Sequence, residues 1–245
     1  MAVIYEETSL LGFISNEKLF NAVEKILKKT EKAKQADKDI YKNSVDPFSA
    51  LFDASSAGIT LADWMELEKT RQVQKTLQNT IGEFHEEIIG SMLGWERLPV
   101  GHIIDVVNKD KKIIAELKNK HNTTKGSDKM VLYHNLDMEL NTDQYRDFTG
   151  YYVEVIPKNG QVYDKPFTPS DNTTKSRKPE NSKIRVIDGK SFYALASGDS
   201  DALQKLYRAL PRVISDILNK PNITNYSTEE LFHTLFGKAY SQDYR

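Results

Sequence analysis

The sequence has 245 residues and no cysteine. Disulfides, thiol nucleophiles and cysteine-ligated zinc are therefore excluded, and a reducing compartment suits the chain. No apolar run approaches the length needed to span a bilayer. The opening stretch, MAVIYEETSLLGF, lacks the basic region and long apolar segment of a secretory signal. A cytoplasmic location is expected, with no membrane partner. Neither sign of charge is in excess: the net charge is −1, which excludes a uniformly basic nucleic-acid binder. The five histidines form no close cluster, which argues against zinc. Internal repeats and low-complexity tracts are absent.

Hydrophobic residues make up 39% of the chain, enough for a core. The charge is unevenly spread along the sequence. Asn108 to Lys129 holds seven lysines against three acids, and Pro157 to Lys190 holds eight basic residues against four acids. Thr60 to Pro99 is acidic, with seven acids against four basic residues. Such runs are commonly solvated loops, but the two basic ones are also where a phosphate backbone would have to lie.

The periodicity predicts helices first. Ser15 to Lys42 carries an apolar stripe at Leu19, Phe20, Val23, Ile26 and Leu27. Phe48, Leu51 and Phe52, after Asp46-Pro47, predict a short packed helical turn. Thr60-Leu61-Ala62-Asp63 reads as a capping box opening a long helix that stops near Gly94. Its polar stretch, Arg71 to Thr80, predicts a kink or a face turned to a partner. Ser127 to Leu140 is helical, with Met130, Tyr133, Leu136 and Leu140 inward. Tyr151 to Ile156 is a strand. Ile184 to Ile187 and Ser191 to Ala196 flank Asp188-Gly189 and predict a hairpin. Ser200 to Asn219, kinked at Pro211, and a short segment capped from Ser227 complete the helices. Helices, strands and helices again imply an α/β or α+β sandwich around a mixed sheet.

The segment with the most chemistry is His102 to Gly126, HIIDVVNKDKKIIAELKNKHNTTKG. Two short β-branched runs flank Asn108-Lys109-Asp110-Lys111, which is turn chemistry. A four-residue loop at Lys109 to Lys112 would set Asp105 opposite Glu116, and a two-residue loop would set it opposite Ile114. In either register Asp105, Glu116 and Lys118 share one face, because side chains alternate along a strand. Two carboxylates so close repel unless a cation lies between them. A hard divalent ion such as magnesium takes one or two carboxylates, waters and a phosphate oxygen. A lysine two residues on would orient a water or stabilise phosphate charge. On spacing alone, a solvated surface hairpin with Lys118 paired to Glu116 explains the segment equally well.

Asp105, ten residues, then Glu116-Leu117-Lys118 resembles the PD-(D/E)XK nuclease signature. The run Glu116 to Thr123, with Asp46-Pro47-Phe48 upstream and Asp188-Gly189-Lys190-Ser191-Phe192-Tyr193 downstream, is similar to type II restriction endonucleases that cut GGNCC-like sites. The resemblance runs from about Asp46 to about Ser197; it departs at Ile104, where the signature has proline. It implies a restriction-endonuclease-like core, a mixed β-sheet flanked by helices. It also implies magnesium-dependent cleavage of double-stranded DNA by a homodimer, with a cognate DNA methyltransferase as genetic partner.

Asp105 and Glu116 would then hold the metal, with the Leu117 carbonyl as a third contact and Lys118 beside the water. A glutamate from the preceding helix enters the site in similar nucleases. Glu86 is the first choice over Glu83 and Glu87, although a solvated acidic face explains all three equally. Asn119, Lys120, His121, Asn122 and Lys125 would contact phosphates or base edges. Lys175, Arg177, Lys183 and Arg185 belong to a late DNA-contacting stretch, where arginine would read guanine, although each also fits a surface loop. The whole chain, 1–245, would be one endonuclease domain: helical 1–60, core 61–197 with the DNA-contacting loop 157–183, and helical 198–245. A structure-directed repair or recombination nuclease on the same core, a non-catalytic DNA-binding protein and a helical interaction scaffold are the alternatives.

Overall fold

The computed structural model describes residues 9–35, 45–171 and 176–241. The chain divides into two compact units, Met1–Val23 with Phe84–Arg245, and Glu24–Glu83. Helix α1 spans Asn16–Gln35, α2 Pro47–Ala57 and α3 Leu61–Gly90. The second half of the helix expected from Ser15 to Lys42 lies partly outside the described residues.

The smaller unit shows why its helices begin where they do. Asp46 caps α2 by accepting from Phe48 N and Ser49 N, with Pro47 in the first turn, where its missing N–H costs nothing. The capping box opens α3: Asp63 N donates to Thr60 Oγ1 at 3.1 Å, and Thr60 N to Asp63 Oδ2 at 3.3 Å. The polar stretch does not interrupt α3, which runs unbroken for 30 residues. Ala50, Ala54 and Trp64 are buried together, with the Trp64 indole N–H donating to Asp53. Phe48, Leu51 and Phe52 do not pack as expected; they are 73%, 54% and 73% exposed. On α2 the small alanines, not the large side chains, face inward.

The larger unit is built on a six-stranded mixed sheet. Its strands are β1 (Trp95–Arg97), β2 (Val106–Asn108), β3 (Ile113–Lys120), β4 (Thr149–Ile156), β5 (Asp164–Pro166) and, after a small antiparallel pair β6 (Ser170–Asp171) and β7 (Ser176–Arg177), β8 (Ile184–Asp188). The order is β1-β2-β3-β4-β8-β5. The first three are antiparallel, β3, β4 and β8 are parallel, and β5 returns antiparallel. Helix α4 (Gly126–Leu140) makes the crossover from β3 to β4. It buries Leu132, Tyr133, Leu136 and Leu140 against Ile114, Tyr152, Ile184 and Val186. Met130 is only partly buried, and Leu132 takes the inward place expected for it.

Helix α5 (Gly189–Ser197) covers the other face, where Phe192 meets Trp95 and Tyr151 edge-on or tilted. The second hairpin expected around Asp188-Gly189 is therefore absent, and α5 stands in its place. Asp188 turns out to be a helix cap, accepting from Ser191 N at 3.0 Å. Gly189 permits the close approach: a Cβ there would lie 2.3 Å from the Val155 carbonyl oxygen. Helix α6 (Ala202–Leu218) continues through Pro211, and α7 (Glu230–Tyr240) follows a 3-10 segment at Pro221–Thr228. The mixed sheet with helices on both faces is the α/β sandwich expected from the sequence. Among the described residues, no helix is long and apolar enough to cross a membrane.

Candidate active site

The β2–β3 hairpin takes the first of the two registers. Val106 pairs with Ala115, Val107 with Ile114 and Asn108 with Ile113, leaving the four residues Lys109 to Lys112 in the loop. Asn108 Oδ1 accepts from Lys111 N at 2.8 Å, and Lys112 takes a positive φ of 53°. One step beyond the paired residues, Asp105 meets Glu116. Its backbone is fixed on both sides: Asp105 N donates to Ala115 O at 2.9 Å, and Leu98 N to Asp105 O at 2.8 Å. Its carboxylate accepts from Leu117 N at 2.6 Å. Strand β2 is shorter than the expected run, starting at Val106 rather than Ile103, because Val100 to Ile103 forms a turn and a bend.

Glu116 and Lys118 follow on the same face of β3, with Lys118 Nζ 2.5 Å from Glu116 Oε1. Burial and the charge of Glu116 push the Asp105 carboxyl up to about 7. Burial by itself would lower the Lys118 ammonium. The charge and hydrogen bond of Glu116, then Asp105 and Glu86, outweigh it and hold Lys118 above its ordinary value. In the metal-free protein, Glu116 and Asp105 thus favour the charged form of Lys118.

The three helix glutamates separate clearly. Glu83 pairs with Lys29 at 2.5 Å. Glu86 and Glu87 share Arg97 of β1, at 2.6 and 3.0 Å. Among these three, Glu86 is the one whose charge acts on Lys118.

The donor set fits a hard divalent cation. Two carboxylates on one face, one resisting ionisation because of burial and then of the other's charge, offer oxygen and no nitrogen or sulfur. Among the described residues no group of three or more histidine, cysteine or acidic side chains is arranged to hold a metal. Such a site suits an ion that keeps several waters.

The remaining candidates scatter. Lys120 ends β3 opposite Ile156, and His121 N donates to Ile156 O at 3.0 Å. Asn119 points to the face opposite Lys118, by the alternation of the strand. Asn119 Oδ1 and His121 Nδ1 are buried and have no hydrogen-bond partner. Asn122 is exposed, and Lys125 is the exposed residue before α4. Arg177 is exposed on β7, and Lys175 lies outside the described residues. Lys183 and Arg185 do not join the site. Lys183 precedes β8, at the end of the sheet where β3 begins, and donates to Arg146 O at 2.8 Å. Arg185 lies on the face opposite Glu116, held by Asp164 at 2.6 Å.

Sequence reasoning missed a second polar group on the same face. Lys118 is in register with Glu154 of β4, and Glu116 with Tyr152. Glu154 is only 5% exposed; it accepts from Lys129 Nζ at 2.7 Å and from the Tyr163 hydroxyl. The signal was present in the sequence, a lone acid inside the apolar strand TGYYVEVI.

The family model described as Eco47II restriction endonuclease matches residues 11–219. The type II restriction enzyme Eco47II of Escherichia coli is 43% identical over 238 residues, covering 95% of the chain and 99% of that protein. The type II restriction enzyme Sau96I of Staphylococcus aureus is 31% identical over 235 residues, covering 94% of the chain and 89% of that protein. A match of this extent, over a chain whose sheet sets two carboxylates and a lysine on one face, shows that the chain belongs to the Eco47II restriction endonuclease family, a family of type II site-specific deoxyribonucleases.

Proposed function

We propose that the chain hydrolyses one phosphodiester in each strand of double-stranded DNA at a short site resembling GGNCC, with magnesium bound at Asp105 and Glu116. The observation that carries this reading is the Asp105–Glu116–Lys118 set. Burial and Glu116 hold the Asp105 carboxyl near 7, so the pair gains most when a cation arrives. Bound there, magnesium supplies charge neutralisation at the scissile phosphate and a more acidic water. The Leu117 carbonyl is a third candidate oxygen.

The chain's own groups do the rest. Lys118 orients the attacking water and donates to the phosphate as charge builds on its oxygens. Water adds its oxygen to phosphorus, the bond from phosphorus to the leaving strand end breaks, and the water's proton passes through solvent to the leaving oxygen, giving a hydroxyl end and a phosphate monoester. Glu86 from α3 adds negative charge next to Lys118 and helps keep it protonated. Lys120, His121, Asn122 and Lys125 follow from the strand end and contact the backbone, with Asn119 and Arg177 as further DNA contacts. Within 1–245, the stretch 157–183 carries part of that interface; Lys183 and Arg185 are left out of it. A near-palindromic target calls for a two-fold homodimer, one site per strand. A methyltransferase that protects host sites is the genetic partner, and the bacterial cytoplasm is where this DNA is found.

Digestion of a plasmid of known sequence, with magnesium or with EDTA, tests the reading beside the Asp105→Ala protein. Discrete magnesium-dependent fragments, lost in the variant, are the expected result. Smearing would indicate a structure-directed nuclease, and salt-sensitive binding without cleavage a pure DNA binder.

A further inference from the structure

Glu154 should not be where it is without a reason. A carboxylate almost wholly buried inside a central strand is costly unless its oxygens are satisfied. Both are: Lys129 Nζ donates to Oε1 at 2.7 Å, and the Tyr163 hydroxyl donates to Oε2. Lys129 comes from the first turns of α4, and its ammonium also stands 5.5 Å from the centre of the Tyr152 ring. Tyr163 comes from the long connection between β4 and β8. It is itself tied down, with Tyr163 N donating to Asp188 Oδ2 at 2.8 Å and Asp188 N to Tyr163 O at 3.0 Å.

The position of this group is set by the sheet. Glu154 and Lys118 are register partners on parallel strands, and so are Tyr152 and Glu116. Neighbouring strands lie about 4.8 Å apart, so the Lys129 ammonium is anchored one strand away from Lys118 and on its face. Its side chain is 30% exposed while that of Glu154 is 6% exposed. The acid is inside, while part of the Lys129 side chain reaches the surface. An ammonium has three N–H donors, and the carboxylate takes one.

We propose that Lys129 is a second phosphate-binding ammonium of the site, held by Glu154 and Tyr163 as positioning residues. The proposal rests on the nuclease reading above. It assigns to Lys129 a phosphodiester oxygen of the DNA backbone next to the scissile group. Glu154 balances the charge of Lys129 in the free protein and limits its motion, so little side-chain freedom remains to be lost on binding. The pairing also couples the α4 crossover and the 157–183 connection to the catalytic face, since one carboxylate holds a residue from each.

Affinity for a labelled duplex carrying one mapped cleavage site tests this, measured against salt in an Asp105→Asn background that does not cut. Lys129→Met is expected to weaken binding about tenfold and to reduce the slope of log affinity against log salt by about 0.9, the signature of one lost phosphate contact. A packing role alone would not move that slope. Lys129→Arg is expected to keep the slope. Glu154→Gln is also expected to keep it, because the charge remains, while cleavage in the otherwise wild-type enzyme slows. If Lys129→Met unfolds by stranding Glu154, the double variant Lys129→Met/Glu154→Gln removes the buried charge with its partner and is read the same way. An unchanged slope and affinity, in a folded variant of an enzyme whose wild type cuts, overturns the proposal and leaves the nuclease reading intact. A wild type that neither cuts nor binds DNA overturns both.

Discussion

Asp105 and His85 pull the pH dependence of stability in opposite directions. Asp105 titrates near 3.8 when unfolded and about 7 in the fold, raised by burial and by Glu116. Between those values the fold holds a proton that the unfolded chain has lost. Its stabilising contribution is therefore full at low pH and disappears as pH rises through 7. Asp105→Asn keeps an acceptor for Leu117 N and removes the repulsion. It is expected to abolish cleavage while raising metal-free stability at pH 8 by roughly 2 kcal/mol, measured by urea unfolding. His85 shows the reverse sign. Burial lowers it from 6.5 to about 4, with Nδ1 2.8 Å from the Tyr193 hydroxyl. Its contribution is present above 6.5 and lost as pH falls toward 4, so stability should fall on acidification across that window, and His85→Phe should flatten this limb of the pH–stability curve. Lys118→Ala removes the donor proposed for the phosphate and should lower kcat by about 10²–10³-fold with KM little changed, by single-turnover kinetics.

The junction of β8 and α5 decides the architecture on the face away from α4. Asp188 is fully buried and serves both Ser191 N, as the cap of α5, and Tyr163 N in the connection from β4. Gly189 lets the first turn of α5 rest on Val155 of β4. Gly189→Val would force β4 and α5 apart and is expected to cost about 3 kcal/mol in urea unfolding. Asp188→Ala leaves two buried amide donors unpaired and is expected to cost about 2 kcal/mol.

The molecule carries a net charge of −1, yet the site's end of the sheet gathers Lys118, Lys120, Lys125 and Lys129. DNA affinity should therefore depend strongly on local lysines and fall steeply with salt, despite the neutral total. Sedimentation of the free protein should give twice the 28.0 kDa chain mass if the two-fold assembly forms without DNA, and a mass shift only with duplex if the target assembles it.

Periodicity and turn chemistry by themselves determined the helices at the ends of the chain and the capped start of α3, and narrowed the partner of Asp105 across the hairpin to Glu116 or Ile114, because these are local or nearly local. Alternation put Glu116 and Lys118 on one face whatever the tertiary fold. Four other matters were decided only in three dimensions. Asp188-Gly189 fits a hairpin turn and a helix cap alike, and β8 chose by finding its neighbours in β4 and β5. Phe48 and Phe52 gave the same apolar signal as a packed face, but the alanines of α2 allow closer approach and were the ones buried. Three glutamates near one another on α3 differ only in the cations that other segments bring, Lys29 for one and Arg97 for two. Glu154 joined the face of Glu116 and Lys118 because β4 lies parallel to β3 in a register that no local pattern encodes, which is a property of the crossover through α4 and the packed sheet.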